Sequence, residues 1–226
     1  GFPIEEIGLI AKDAGLQIDL VRYEELEKEA RERSRQVHKN TKQVAEGNLF
    51  LAYSKEYGPC EFTGYEKHSD ESKVTAIVVD GFFVETIESG QEGIIVLDKT
   101  PFYAEMGGQV GDTGFLQGSE GLFEVQDSQA PFSGVIAHIG ILGKGKIFLG
   151  DIVRAEIDTK RRQKVANNHT ATHLLHWALH EVLGEHIRQA GSLVDDHHLR
   201  FDFSHHNALS NKEIREIEDL VNCRIR

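Results

Sequence analysis

The sequence predicts an α+β fold: an N-terminal helical linker, a small antiparallel β-barrel, and a truncated α/β subdomain built around a histidine-bearing helix. Three observations carry this reading. Apolar residues recur at helical spacing through residues 1–45, and from about Leu49 they give way to short β-branched and aromatic runs separated by turn residues. After Thr159 strand and helix patterns mix, and nine of the chain's 12 histidines fall between His169 and His206. The corresponding parts are residues 1–45, 46–158 and 159–226.

In the first part Pro3 suits an opening helical turn, Ile4, Ile7, Ile10, Ala11 and Ala14 share a face, and Gly15 ends the element. Leu16–Leu20 is a short extended connection. Asp19 then caps a second helix through Glu24–Gln36, rich in Glu/Arg pairs at three and four spacing. A helix polar all round reads as a connector between domains.

Seven runs follow at strand length: Val74–Val79, Phe82–Ile87, Gly93–Leu97, Thr113–Leu116, Leu122–Val125, Val135–Leu142 and Ile147–Ile157. Asp80-Gly81, Ser89-Gly90, Gly118-Ser119 and Gly143-Lys-Gly145 supply the turns, and the spacing predicts a small antiparallel barrel or sandwich. Thr100–Gly114 breaks the pattern. It is glycine-rich but lacks a Gly-Lys-Ser/Thr ending, so it reads as a loop that lets another backbone or a ligand approach closely, and not as a phosphate cradle.

In the last part, Asn168 is the expected N-cap and Gly184 the stop of one amphipathic helix. At ~100° per residue His169, His173, His176 and His180 form one stripe, with Ala171, Leu174, Leu175, Ala178, Leu179 and Val182 roughly opposite. Two histidines four apart can share one metal ion, zinc being the usual occupant; a solvated, histidine-rich face is the bland alternative. Thr170 stands where a zinc protease needs its glutamate, so that chemistry is excluded. Gly191–Val194 and Leu199–Phe203 flank a polar turn, with Phe201 and Phe203 on one face and Arg200 and Asp202 on the other. Ser210 and Glu213 form a capping box before a final helix carrying Ile214, Ile217, Leu220 and Val221.

The net charges of the three parts are −1, −12 and +1, so the whole −12 sits in the barrel. That balance disfavours broad nucleic-acid binding and leaves room only for local contact, with Lys160, Arg161, Arg162 and Lys164 leading into the histidine helix. No run reaches the ~20 apolar residues of a membrane span, and nothing resembles a signal peptide. Cys60 and Cys223 stand alone, which suits a reducing cytoplasm. Gly1 is not an initiator methionine and Arg226 falls inside a helical pattern, so a piece of a longer protein is expected.

Together, Asn167-Asn-His-Thr-Ala-Thr-His-Leu-Leu-His176, Gln189-Ala-Gly-Ser-Leu-Val194 and Leu199-Arg-Phe-Asp-Phe-Ser204 resemble the editing domain of alanyl-tRNA synthetases. Phe62-Thr-Gly-Tyr-Glu66 and the Thr100–Gly114 loop look like signatures of the same family. Gly1-Phe-Pro3 and the charged helix ending at Arg35 look like the end of its tRNA-recognition helices. The resemblance implies a cytoplasmic enzyme that joins alanine to tRNA using ATP, in an aminoacylation domain absent from this chain. It also implies a separate site that hydrolyses tRNA mischarged with serine or glycine. Carried over by position, His169 and His173 match two zinc ligands, and Thr172 and Gln189 match polar, catalytically placed residues of the editing pocket. Arg200 is expected to join Thr172 and Gln189 in holding the aminoacyl end. The family's other two zinc ligands form a Cys-x-x-x-His motif; Cys223 is followed by Arg-Ile-Arg226, so they are expected beyond Arg226. Two other classes stay open: a free-standing deacylase acting in trans, and a non-catalytic zinc-binding or translation-factor-like barrel.

Overall fold

Short β-branched runs leave hydrogen-bonding edges that need partners, and here six strands supply them to one another by closing a ring. The computed structural model describes Phe50, Tyr53 and residues 58–225, which fall within one compact unit, Glu46–Arg226. The helices expected over residues 1–45 lie outside the described residues.

The ring runs β2 (Ser69–Val79), β5 (Glu92–Leu97), β9 (Val135–Lys144), β8 (Leu122–Phe132), β7 (Gly114–Gln117) and β11 (Ile152–Ile157). All neighbours are antiparallel, and β11 pairs back onto β2 from Ile152↔Lys73 to Glu156↔Ser69. β3 (Phe82–Phe83) extends the end of β2 through an Asp80-Gly81 turn, both residues at positive φ (53° and 83°), the conformation a tight two-residue hairpin requires. β4 (Thr86–Glu88) pairs with β10 (Lys146–Phe148), and β1 (Glu61–Phe62) runs parallel to β6 (Lys99–Thr100).

Burial explains why some strands alternate and others do not. Along β11 only Val153, Ala155 and Ile157 are buried, which is one-faced packing. β2, β5 and β9 are covered on both faces. Ile77, Ile95, Leu97 and Leu142 join Leu116, Phe123 and Val153 in one cluster. Ala76, Val78, Ile94, Val96, Val135 and Ala137 form a second with Phe50 and Tyr53. Each such aliphatic or Phe side chain stabilises the fold by about 1.5–3 kcal/mol.

A titratable polar side chain sits inside this wall. His138 is fully buried, its Nδ1 2.8 Å from the Ile95 carbonyl and its Nε2 2.8 Å from Thr100 Oγ1. A carbonyl only accepts, so Nδ1 carries the proton and Nε2 receives the threonine hydroxyl. Desolvation pushes the imidazole pKa down to about 4, which keeps it neutral.

Beyond the barrel come α1 (Thr159–Leu183), the hairpin β12 (Gln189–Val194) and β13 (Leu199–Phe203), and α2 (Asn211–Ile225). Leu175, Ala178, Leu179 and Val182 of α1 pack with Ile187, with Phe201 and Phe203 of β13, and with Ile217, Leu220 and Val221 of α2. Glu213 accepts from the Ser210 N–H and hydroxyl at 2.7 Å each, forming the capping box that starts α2. Among the described residues no helix is long and apolar enough to cross a membrane.

The structure corrects the sequence reading in four places. Phe82–Ile87 is not one strand, because the chain leaves β2 after Phe83 and β4 then pairs elsewhere, with β10. Ile147–Ile157 breaks at Gly150 (φ 89°), where Asp151 accepts the Phe148 N–H at 2.9 Å. The histidine helix is capped ten residues before Asn168: Asp158 is its cap, accepting the Arg161 N–H at 3.0 Å. Lys160–Lys164 are therefore its first turns. Its buried face includes Val165, Thr172 and Leu179, so the histidine stripe borders the packed face and does not oppose it. On α2, Ile214 is 40% exposed and stands off the core that Ile217 anchors.

Candidate functional site

The site is assembled by α1, by the Thr100–Gly114 loop and by β12. Arg162, in the first turns of α1, holds the first two together. Its Nε lies 2.8 and 3.0 Å from the two Asp112 carboxylate oxygens, and its Nη2 also donates to Asp112. Two further guanidinium hydrogens go to the Gly64 and Pro101 carbonyls, from Nη1 at 3.2 Å and Nη2 at 2.9 Å. Asp112 also accepts the Tyr103 N–H at 2.7 Å, which braces the loop internally. Arg161 donates to the Gly111 carbonyl at 2.7 Å and pairs with Asp196 at 3.3 Å. Both arginines are thus engaged within the protein, which leaves Lys160 and Lys164 as the exposed cations of this cluster.

The loop's glycines serve close approach, as the sequence suggested. Met106 and Gln109 exchange backbone hydrogen bonds at 3.2 and 3.1 Å around Gly107 and Gly108, whose φ values are 64° and 85°. A side chain at Gly108 would place its Cβ 2.3 Å from the Ser192 carbonyl oxygen. This closeness lets the loop run beside β12: the Val194 N–H donates to the Gly108 carbonyl at 2.8 Å, and the Val110 N–H to the Val194 carbonyl at 3.1 Å.

That pairing delivers Gln109 to the histidine stripe. Its Oε1 lies 2.5 Å from His169 Nδ1, while His169 Nε2 lies 3.1 Å from His173 Nε2. The two rings are 5.0 Å apart and inclined by 29°, and both residues are exposed. With the amide oxygen on Nδ1, the proton resides there and the His169 Nε2 lone pair faces His173. A tetrahedral ion with Zn–N bonds of ~2.0–2.1 Å needs its two nitrogens about 3.3 Å apart, so the pair fits zinc after a small ring rotation. Among the described residues no group of three or more His, Cys, Asp or Glu is arranged to hold a metal. Burial, with Asp98 and Glu61 adding to it, pushes the Cys60 thiol up to about 12, so it offers no thiolate.

The other histidines sort into separate contacts. His176 and His180 approach to 3.0 Å, with Phe201 against the His176 ring at 4.9 Å. Desolvation lowers the His176 pKa, and the neighbouring His180, His173 and Arg188 lower it further. His186 meets His205 at 2.9 Å with His206 stacked on it, while His197 and His198 pair with Asp196 and Asp195.

Of the remaining candidates, Gln189 is linked to the loop through Ser192. It opens β12, and its Nε2 donates to Ser192 Oγ at 3.1 Å; Ser192 Oγ in turn donates to the Gly107 carbonyl at 3.3 Å. The Thr172 hydroxyl donates to the Asn168 carbonyl at 2.8 Å from the buried face of α1. Arg200 is exposed on β13, its Nε 3.1 Å from the Asp202 carboxylate. Gln109 is the site residue that sequence reasoning missed. The Met-Gly-Gly-Gln run marked a close backbone approach but gave no sign of which side chain it would present.

A family model described as class II tRNA synthetases (A) matches residues 1–161. An alanine–tRNA ligase of Methylococcus capsulatus is 43% identical over 229 residues, covering 100% of this chain and 25% of that protein. The chain belongs to the class II tRNA synthetases (A), the alanyl-tRNA synthetase family. It spans about a quarter of the length of the curated relative it matches. The family match stops short of His169, whereas the similarity to the ligase runs through both histidines of the pair.

Proposed function

We propose that this chain is the editing region of a cytoplasmic alanine–tRNA ligase, and that α1, the glycine-rich loop and β12 form a site hydrolysing tRNA mischarged with serine or glycine. The observation that carries the reading is the convergence of His169 and His173 at 3.1 Å with the His169 ring fixed from behind. The whole-chain similarity to an alanine–tRNA ligase supports the parent activity, alanine attachment to tRNA with ATP consumed in a domain outside this chain.

The chemistry follows from size and charge. A pocket shaped for alanine rejects serine poorly, because one added hydroxyl costs little on entry, so a second, hydrolytic sieve is needed. Zinc bound at His169 and His173, with two further ligands from outside these residues, would supply Lewis-acid polarisation and water activation for ester cleavage. Gln189 offers a donor and an acceptor at the start of β12, suited to the serine hydroxyl or the terminal ribose. Thr172 contributes pocket wall beside His173, and Arg200 supplies a cation for the phosphate-bearing 3′ end. The −12 charge, all of it within residues 46–158, disfavours broad tRNA contact across the barrel. The test is seryl-tRNA deacylation by the full-length enzyme and by its His173→Ala variant; equal rates would overturn the proposal.

A further inference from the structure

We propose that Gln109 is a positioning residue for His169: it fixes the ring and its tautomer so that the unprotonated Nε2 faces His173. The inference rests on reading the pair as the metal site. Three structural features carry it. Gln109 Oε1 lies 2.5 Å from His169 Nδ1, across 60 residues of sequence. The Gln109 backbone is held on both sides, by Met106 across the Gly107-Gly108 turn and by its bridge to Val194 of β12. The side chain therefore leaves a rigid support and is not a surface glutamine that happens to touch a histidine. Finally, His169 is exposed and sits at a border of the packed face, so core packing does not orient its ring. Gln109 does.

An amide oxygen only accepts, so this contact requires the Nδ1–H tautomer. Without it the ring is free to flip, or to protonate at Nε2 and close an N–H···N bond to His173, which blocks the lone pair. Outer partners of this kind typically change metal affinity by ~10–100-fold. Side-chain length and oxygen placement decide the outcome, and the contact itself needs no charge. Gln109→Glu keeps the acceptor in reach, Gln109→Asn withdraws it by one methylene, and Gln109→Ala removes it.

The experiment has two arms. In the full-length protein, zinc affinity is measured by chelator competition, alongside the absorption spectrum of the cobalt-substituted form. Gln109→Ala and Gln109→Asn should weaken zinc ~10–100-fold and alter the cobalt spectrum, and Gln109→Glu should restore both. In this chain without metal, ¹⁵N-histidine NMR should show His169 as the Nδ1–H tautomer, and Gln109→Ala should mix the tautomers. Wild-type affinity in Gln109→Ala, or an Nε2–H tautomer in the unsubstituted chain, overturns the inference. If His173→Ala binds zinc as tightly as wild type, the reading of the pair as the metal site fails instead, and the tautomer result alone then decides the role of Gln109.

Discussion

Arg162 and Asp112 are 50 residues apart in sequence, yet the arginine Nε lies 2.8 and 3.0 Å from the two aspartate oxygens. The pair is shielded, with side-chain exposures of 19% and 6%. It ties α1 to the glycine-rich loop, where Arg162 also donates to the Pro101 carbonyl, and through Gly64 to the Phe62–Glu66 turn as well. Removing one partner of a buried pair leaves the other charge unsatisfied and costs about 3–5 kcal/mol. Asp112→Ala is expected to fall in that range by urea unfolding, since the Tyr103 N–H also loses its acceptor. The double variant Asp112→Ala/Arg162→Met should lose less than the two single changes combined. A loss below about 1 kcal/mol for Asp112→Ala would class the pair with exposed surface bridges.

Neighbouring glycines make a sharper comparison. Gly107 and Gly108 both have positive φ, so alanine at either costs about 1–2 kcal/mol of backbone strain. Only at Gly108 does the new Cβ also meet a backbone atom, the Ser192 oxygen at 2.3 Å; Gly107 has nothing within 4 Å. Gly107→Ala should therefore be mildly destabilised with its loop in place. Gly108→Ala should push the loop off β12 and expose the Val110 and Val194 amides to hydrogen exchange. Equal exchange protection in the two variants would refute this account.

Acid stability should report on His138. Its folded pKa, about 4, lies below the ordinary 6.5, so between those values the unfolded chain binds the extra proton. The contribution is full above pH 6.5 and is lost as pH falls through 4. The whole interval is worth about 3 kcal/mol. Urea midpoints from pH 7 to 4 should decline, and His138→Gln should flatten part of that decline while lowering stability at pH 7. A wild-type slope unchanged by the substitution would mean that other groups carry the acid sensitivity.

What the sequence disclosed depended on distance along the chain. The capping box at Ser210 and Glu213 and the β12–β13 hairpin are local patterns, and both are present. The sequence points to Asn168 as the start of α1 because that residue has a capping residue's chemistry. Its amide is instead used sideways, donating to the Asp195 carbonyl at 2.7 Å. No breaker separates it from Asp158, so the helix begins there. Closure of the barrel through Ile152↔Lys73 and delivery of Gln109 to His169 join segments far apart in sequence, and no local period encodes them. The histidine pair was visible because it lies four apart on one helix; the residue that orients it was not.

Damage at the proposed editing site should be separable from the activity of the rest of the parent enzyme. In the full-length protein, His169→Ala removes one of two convergent nitrogens, and Gln189→Ala removes the amide that now donates to Ser192 Oγ at 3.1 Å. Loss of a metal ligand or of one positioned hydrogen bond acts on the hydrolytic transition state and costs ~10²-fold or more in deacylation. On the proposed reading, alanine activation belongs to a domain outside this chain, so ATP–pyrophosphate exchange should stay near wild type in the same preparations. Parallel loss of both activities would indicate a folding defect, which urea unfolding of each variant would reveal. Seryl-tRNA deacylation at wild-type rates in both variants, with zinc content unchanged, would leave α1 a structural helix and remove the editing assignment from these residues.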